Sequence, residues 1–216
     1  MRRVAERETE DRAARDQYTY RQTVIVEEMD SRGIRVGSYR EMRDIIFLPN
    51  SERSERMIEQ PSSSLKHLLL TEEDFRDIRE VQPFVLTSDQ LRLYDTRFRG
   101  EETMDDVECW VLQVRPRQIL DRQRLFDGLL WVGKNGFHVV RAEGRAVPEI
   151  RRAKQENLFP RFTTIRAQVD SKHWFPVRTF ADDTLQFRTG PQRIRLSILY
   201  NNYKRFSADA TVRYEK

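Results

Sequence analysis

Few side chains in this sequence have catalytic potential. It contains three histidines, His67, His138 and His173, and a single cysteine, Cys109. An imidazole can ligate a metal or move a proton near neutral pH, but either task needs partners at set spacing. The three histidines lie in different contexts with no metal-ligand spacing between them. His138 and His173 each flank aromatic residues in strand-like stretches, and all three read as structural. Asp182-Asp183 and Glu101-Glu102 are the carboxylate pairs that acid-base chemistry would use. Neighbours on a strand point to opposite faces, so neither pair forms a close dyad there, and in a turn each is an ordinary polar pair. Cys109 alternates with Val107 and Val111, the pattern of a small core residue rather than of a thiolate nucleophile. The sequence contains no HExxH, CxxC or GxSxG, no Gly-rich phosphate loop and no dinucleotide fingerprint. A non-enzyme is therefore expected, with no catalytic residue, metal site or cofactor.

Charge narrows the partners. Lys and Arg number 39 against 35 Asp and Glu, a net charge of +4, with the signs interspersed along the 216 residues. A nucleic-acid protein normally gathers its cations into a patch, so no nucleic-acid partner is expected. The densest basic stretch, RTGPQRIRL at 188–196, places Arg193 and Arg195 on one strand face, alternating with Ile194 and Leu196. That is a solvated outer face before it is an anion site. Hydrophobic residues make up only 38% and charged residues 34%, which fits a single sheet with one wet face and a thin core. The lone cysteine excludes an intrachain disulfide. MRRVAERETEDRAARDQ lacks the apolar run of a secretory leader, and no stretch approaches the ~18 apolar residues of a membrane-spanning helix.

The order of elements must supply what motifs do not. Length favours one domain over 1–216. Residues 2–17 read as a polar helix supported by Glu8 with Arg12 and Asp11 with Arg15, leaning lightly on the rest of the chain. YTYRQTVIVEEMD at 18–30 alternates as a strand, with Tyr18, Tyr20, Val24 and Val26 on one face. A second strand covers 34–48, and a charged, edge-like third covers 52–60. A helical insertion follows at about 71–94: one helix capped by Thr71, and another begun by Thr87 with Gln90 at capping-box spacing. Strands return at 94–103, 107–115, 124–133, 136–145, 161–170, 173–180, 183–189 and 192–205. Roughly eleven strands with short turns predict an up-and-down antiparallel sheet that curls into a barrel or half-barrel. Segment 148–160 is a long connection, and Gly133 to Gly136 turns the hairpin FDGLLWVGKNGFHVVRAEG.

The helix–meander–insertion–meander order comes with three quoted segments. These are a strand on Gly100 to Leu112 ending CWVL, an LWV strand at Leu130 to Val132, and a WFP strand at Trp174 to Pro176. Together they resemble the bacterial lipoprotein-carrier superfamily, the LolA/LolB-type fold of outer-membrane lipoprotein-sorting proteins. The resemblance spans about 18–206, and GRAVPE, NLFPRF and WFPVRTFADDTL mark a branch of it. It implies a mainly β, α+β fold: a large curved antiparallel sheet forming an open half-barrel, its concave side covered by the N-terminal helix and the helical insertion. It also implies a periplasmic or cell-envelope location and a non-catalytic role, holding a lipid or lipoprotein acyl chain without a cofactor. The residues expected to line such a hollow are Trp110, Leu112, Leu129, Trp131 and Val140 from the strands, with Phe75 and Leu91 from the insertion. One departure is plain: the carriers keep an apolar lid helix, whereas 2–17 is almost wholly polar, so the resemblance does not extend to gating by this helix. The same scaffold can instead serve as a regulatory module with a filled barrel and an envelope protein partner. An enzyme of unfamiliar type, using Asp183, His173 or Arg178, is the third reading.

Overall fold

Alternation of apolar and polar residues dictates the architecture. A computed structural model describes residues 1–47, 53–81, 84–119, 123–152 and 155–205. In chain order these form α1 (Arg2–Arg15), β1 (Tyr18–Met29), β2 (Arg35–Phe47), β3 (Arg53–Ser63) and α2 (Glu72–Glu80). After a 3-10 turn at Leu91–Leu93 come β4 (Tyr94–Met104), β5 (Val107–Pro116), β6 (Leu125–Gly133) and β7 (Val139–Val147). The last elements are β8 (Ile150–Arg152), β9 (Gln155–Asn157), β10 (Phe162–Val169), β11 (His173–Phe187) and β12 (Gly190–Arg205). Ten strands make one antiparallel sheet in the order β3-β2-β1-β12-β11-β10-β7-β6-β5-β4, and β8 pairs with β9 as a separate hairpin. The ten-stranded sheet is open, with β3 and β4 as its edges.

One face of this sheet carries the main core. Tyr20, Val24 and Val26 of β1 join Leu196, Ile198 and Tyr200 of β12, and Phe126, Leu130 and Val132 of β6. Ile78 and Val81 from the α2 region and Phe84 and Leu86 from the segment after it pack onto them. Gly128 and Gly144 stand opposite one another in the β6–β7 register. The Phe126 ring lies across both, 2.6 Å from where either Cβ would be, so a side chain at either position would displace the ring. A smaller cluster of Cys109, Val111, Trp131 and Val140 forms on the other face.

Several expectations hold, and several need correction. Tyr18, Tyr20, Val24 and Val26 are all buried, and β3 is a largely exposed edge strand. Thr71 caps α2: its Oγ1 accepts from the Asp74 backbone N–H at 3.3 Å, and Asp74 accepts from the Thr71 N–H at 2.7 Å. The second helix is not formed, because β4 begins at Tyr94 and leaves room only for the 3-10 turn, while Phe84 and Leu86 hold the preceding chain in the core. Segments 173–180 and 183–189 are not two strands but parts of one, β11. Asp182 stays in that strand because Arg195 stands opposite it, and Arg193 and Arg195 donate to it at 2.9 and 2.8 Å. Those guanidiniums hold the Asp182 carboxyl down to about 2. The 148–160 connection contains the β8–β9 hairpin, so twelve strands occur among the described residues rather than eleven.

The largest correction concerns α1, which is anchored rather than lightly leaning. Its buried residues are Val4, Ala5, Glu8 and Asp11. Two methylene-poor apolar side chains bury too little area to fix a helix of this polarity. Charge does the anchoring. Glu8 accepts from Arg166 of β10 at 2.7 Å with both side chains almost wholly buried, and Arg166 also donates to the Phe84 carbonyl. Burial pushes the Glu8 carboxyl up, and the Arg166 guanidinium beside it offsets part of that rise.

Removing one member of such a pair strands the other charge in the core. Arg166→Ala is expected to cost about 3–5 kcal/mol in urea unfolding. The double substitution Glu8→Leu/Arg166→Met, which leaves no charge behind, should cost much less than the single one. Equal losses in the two variants would show that the pair is not what anchors α1.

Candidate functional site

Burial decides which parts of the concave side remain available. Most of it is occupied by the chain's own side chains. Phe84 stacks on Phe126 with ring centroids 4.4 Å apart, and Tyr94 meets Phe84 edge-on at 5.6 Å. Phe75 of α2 tilts against Tyr39 at 5.7 Å. Leucines 65, 68 and 70 press on the same core, and the chain there is tied down by Glu28, whose carboxylate accepts from the N–H groups of Lys66 and His67 at 2.7 Å each and from that of Leu68. Burial disfavours that carboxylate, yet the three backbone donors outweigh it and hold Glu28 below the usual range.

One opening of about 570 Å³ is left where α1 ends. Phe47 at the end of β2 and Arg53 at the start of edge strand β3 line it together with Leu93 and Tyr94 at the start of the opposite edge strand, β4. Opposite edges of the sheet therefore curl far enough to share one pocket, with the last turn of α1 and the outer side of α2 between them. Its apolar wall is Phe47, Val81, Phe84, Leu93, Leu125 and Phe126. Its cations are Arg12 and Arg15 of α1, Arg53 of β3, Arg76 and Arg79 of α2, and Arg124 before β6. Asp16 is the one acidic side chain lining it among the described residues. Arg124 is held by Asp77 at 2.5 Å, and Arg53 pairs with Glu55 at 2.9 Å. The position of Arg12 and Arg15 also suits α1 itself, since cations in a last turn complement the helix dipole.

A second concavity, about 520 Å³, lies on the outer face around Arg99, Arg115, Arg145 and Arg161. There the cations meet carboxylates directly, Arg115 with Asp127 and Arg161 with Glu143, each at 3.3 Å.

The seven residues expected to line a hollow are split by strand parity. Trp110, Leu112, Phe75 and Leu91 pack, half-buried, against the main core. Leu129, Trp131 and Val140 belong to the cluster on the other face. The register explains this: Trp110 and Leu112 stand opposite Val132 and Leu130, leaving Leu129 and Trp131 to point the other way. There Trp131 is covered by Arg141, 4.6 Å above its ring, and donates to Glu102 at 2.7 Å. None of the seven lines the arginine-bearing pocket. The arginines that do were hidden by the even mixture of signs; only the i,i+3 spacing of Arg12 with Arg15 and of Arg76 with Arg79 signals them.

Two of the three histidines share one context, while His67 lies apart beside Glu28. His138 and His173 both turn Nδ1 towards Asp11 of α1, at 2.9 and 3.0 Å. This trio is internally hydrogen-bonded, and among the described residues no group of His, Cys, Asp or Glu is arranged to hold a metal. Asp183, His173 and Arg178 do not converge either. His173 and Asp183 are ten positions apart on β11, about 33 Å at the rise of a strand. Arg178 stands opposite exposed Leu199, on the face away from buried Thr179 and Ile198.

Asp11 gives this clasp a pH dependence. Burial alone would raise its carboxyl, but the hydrogen bonds from His138 and His173 overcome that and leave it lowered. A carboxylate depressed in the folded state stabilises above its unfolded value, about 3.9, and loses that contribution as pH falls through the folded value. Asp11→Asn should cost about 1.5–3 kcal/mol at pH 7. The gap between the variant and the parent in thermal unfolding should narrow as pH falls below about 3.9. A gap that stays constant as the carboxylate is titrated with acid would refute the assignment.

No protein-family model and no curated protein matches the chain. Among solved structures it is similar to a DUF1329 family protein from Desulfovibrio piger, at 16% identity over 96% of this chain and 92% of that one, with a TM-score of 0.43. It is also similar to a LolA superfamily protein from Nitrosomonas europaea, at 17% identity over 94% of both chains, with a TM-score of 0.41. A domain named for outer membrane lipoprotein sorting, from Vibrio parahaemolyticus, is 12% identical over 93% of this chain and 92% of that one, with a TM-score of 0.41. At such identities a likeness of fold says nothing of ligand or activity.

Proposed function

We propose that this protein is a non-catalytic binding protein of the cell envelope that accommodates the acyl chain of a lipid or lipoprotein. The observation that carries the reading is the pocket at the end of α1. Its 570 Å³ falls within the 300–1,000 Å³ usual for small-molecule sites, and in a lining that is more polar than apolar it offers half-buried Phe47 and Leu93 beside a charged mouth. Each methylene moved from water into such a wall contributes about 0.8 kcal/mol, so a 14-carbon chain gains on the order of 10 kcal/mol before the costs of association. Binding of this kind needs no reacting group. The envelope location follows from the sequence resemblance.

A second reading has its own support. The deep concave side is filled by Phe84, Phe126 and their neighbours, and edge strand β3 is largely exposed, as a protein-interaction module would require. A partner of complementary charge could dock on the charged side chains of that edge.

Displacement of a fluorescent fatty-acid probe, together with native mass spectrometry of the purified chain, separates the two. Saturable uptake of one probe is expected. Leu93→Gln in the pocket wall should weaken it about tenfold, the effect of roughly 1.4 kcal/mol, and Leu129→Gln on the outer face should leave it unchanged. Absence of both bound lipid and probe uptake would leave the interaction module as the better reading.

A further inference from the structure

We infer that the arginines of this pocket select the head of the bound molecule, and that the ligand is an amphiphile carrying at least one phosphate. The inference rests on the acyl-binding reading above and concerns the other end of the same ligand.

Charge is the first support. Six guanidiniums line the pocket with one carboxylate, Asp16, among the described residues. Two of the six are already matched, Arg124 by Asp77 and Arg53 by Glu55. Counting Asp16 and Asp89, which lies within electrostatic reach of Arg12, with these partners, two positive charges remain among the described residues, more than the single carboxylate of a fatty acid would meet. A phosphate monoester carries about −1.5 to −2 and offers three acceptor oxygens. Arg12, Arg76 and Arg79 make no direct ion pair among the described residues, although Asp16 and Asp89 act on Arg12 and Glu55 on Arg79 from further off.

Geometry is the second. The Nε of Arg15 is buried with no hydrogen-bond partner among the described residues, and its side chain lines the pocket. A buried donor left in that state is costly, and a turn of the Arg15 side chain towards the opening would bring it to a phosphate oxygen. Guanidinium suits the task because its planar fork binds phosphate oxygens two at a time. The outer-face concavity lacks this surplus, since Arg115 and Arg161 have carboxylates directly against them. The apolar wall behind the arginines then distinguishes a lipid phosphate from a free one.

The test compares three probes on the full chain: fluorescent phosphatidic acid, diacylglycerol bearing the same fluorescent chain, and inorganic phosphate. Phosphatidic acid should bind at least about tenfold more tightly than diacylglycerol at low salt, a preference that shrinks as salt is raised. Arg76→Gln/Arg79→Gln alters two side chains on α2 outside its packed stripe. It should abolish the preference, bringing phosphatidic acid down to the affinity that diacylglycerol has in the same variant, with thermal stability as it was. Equal affinity for the two lipids, or a preference that survives the double substitution, would overturn the head-group inference and leave acyl binding intact. Binding of neither lipid overturns both. Inorganic phosphate that binds as tightly as the phosphatidic probe makes the anion alone the ligand and overturns the lipid head.

Discussion

The buried pair between Glu8 and Arg166 is the constraint on which the concave side depends. An open sheet exposes its apolar face unless something lies over it, and here the covering helix has almost no apolar stripe. Arg166 solves this by holding two covers at once, the Glu8 carboxylate of α1 and the Phe84 carbonyl of the segment after α2. Burying an ion pair is seldom a net gain over apolar packing, so its value lies in specifying where α1 sits. The satisfaction is incomplete: among the described residues Arg166 Nε has no partner, while the Leu86 backbone N–H helps to hold the Glu8 carboxylate. Asp11, one helical turn further on, adds the second fixed point through His138 and His173.

With α1 fixed at two points, its last turn comes to rest where the curled sheet brings its two edges together. The cations there serve the helix dipole and the pocket at the same time. On the other side of the opening, α2 is oriented by its capping box and by Asn157, which donates to Asp74 at 2.8 Å. Burial pushes the Asp74 carboxyl up to about 6. A carboxyl raised in the folded state stabilises most below its unfolded value and loses that contribution as pH rises through 6. The helix that presents Arg76 and Arg79 is therefore held slightly less firmly at neutral than at acid pH, opposite in sense to the Asp11 clasp.

Much of the fold was legible in the sequence because strands announce themselves locally. Tyr18, Tyr20, Val24 and Val26 recur at the two-residue period of one strand face, Thr71 precedes three acids, and the charges of 52–60 mark an edge; each signal lies within a few residues of its effect. The failures have one physical origin. Glu8 and Arg166 are 158 positions apart, as are the groups around Asp11 on a similar scale, and no local pattern reveals such pairings. The same holds for parity. Leu129, Trp131 and Val140 are as apolar as Leu130 and Val132, and only the register with β5 decides which set meets the core. Asp182-Asp183 looked like a turn because its cationic partners lie on another strand. The candidate pocket was the least legible part, since it is assembled from the ends of elements far apart in the chain.

The open sheet has a further consequence at its margins. Unpaired edge strands are templates for joining a second molecule, and a ten-stranded sheet with two free edges would be prone to fibrous association. Both edges here resist it. β3 carries Arg53, Glu55, Arg56 and Glu59 and contains Pro61, which has no amide hydrogen to donate, while β4 alternates charge and breaks its register near Gly100. Charge, proline and a bulge are the devices by which natural sheets keep their edges from one another. The charged third of the sequence, which thins the core, thereby keeps an unclosed sheet colloidally stable at the concentrations of a crowded compartment.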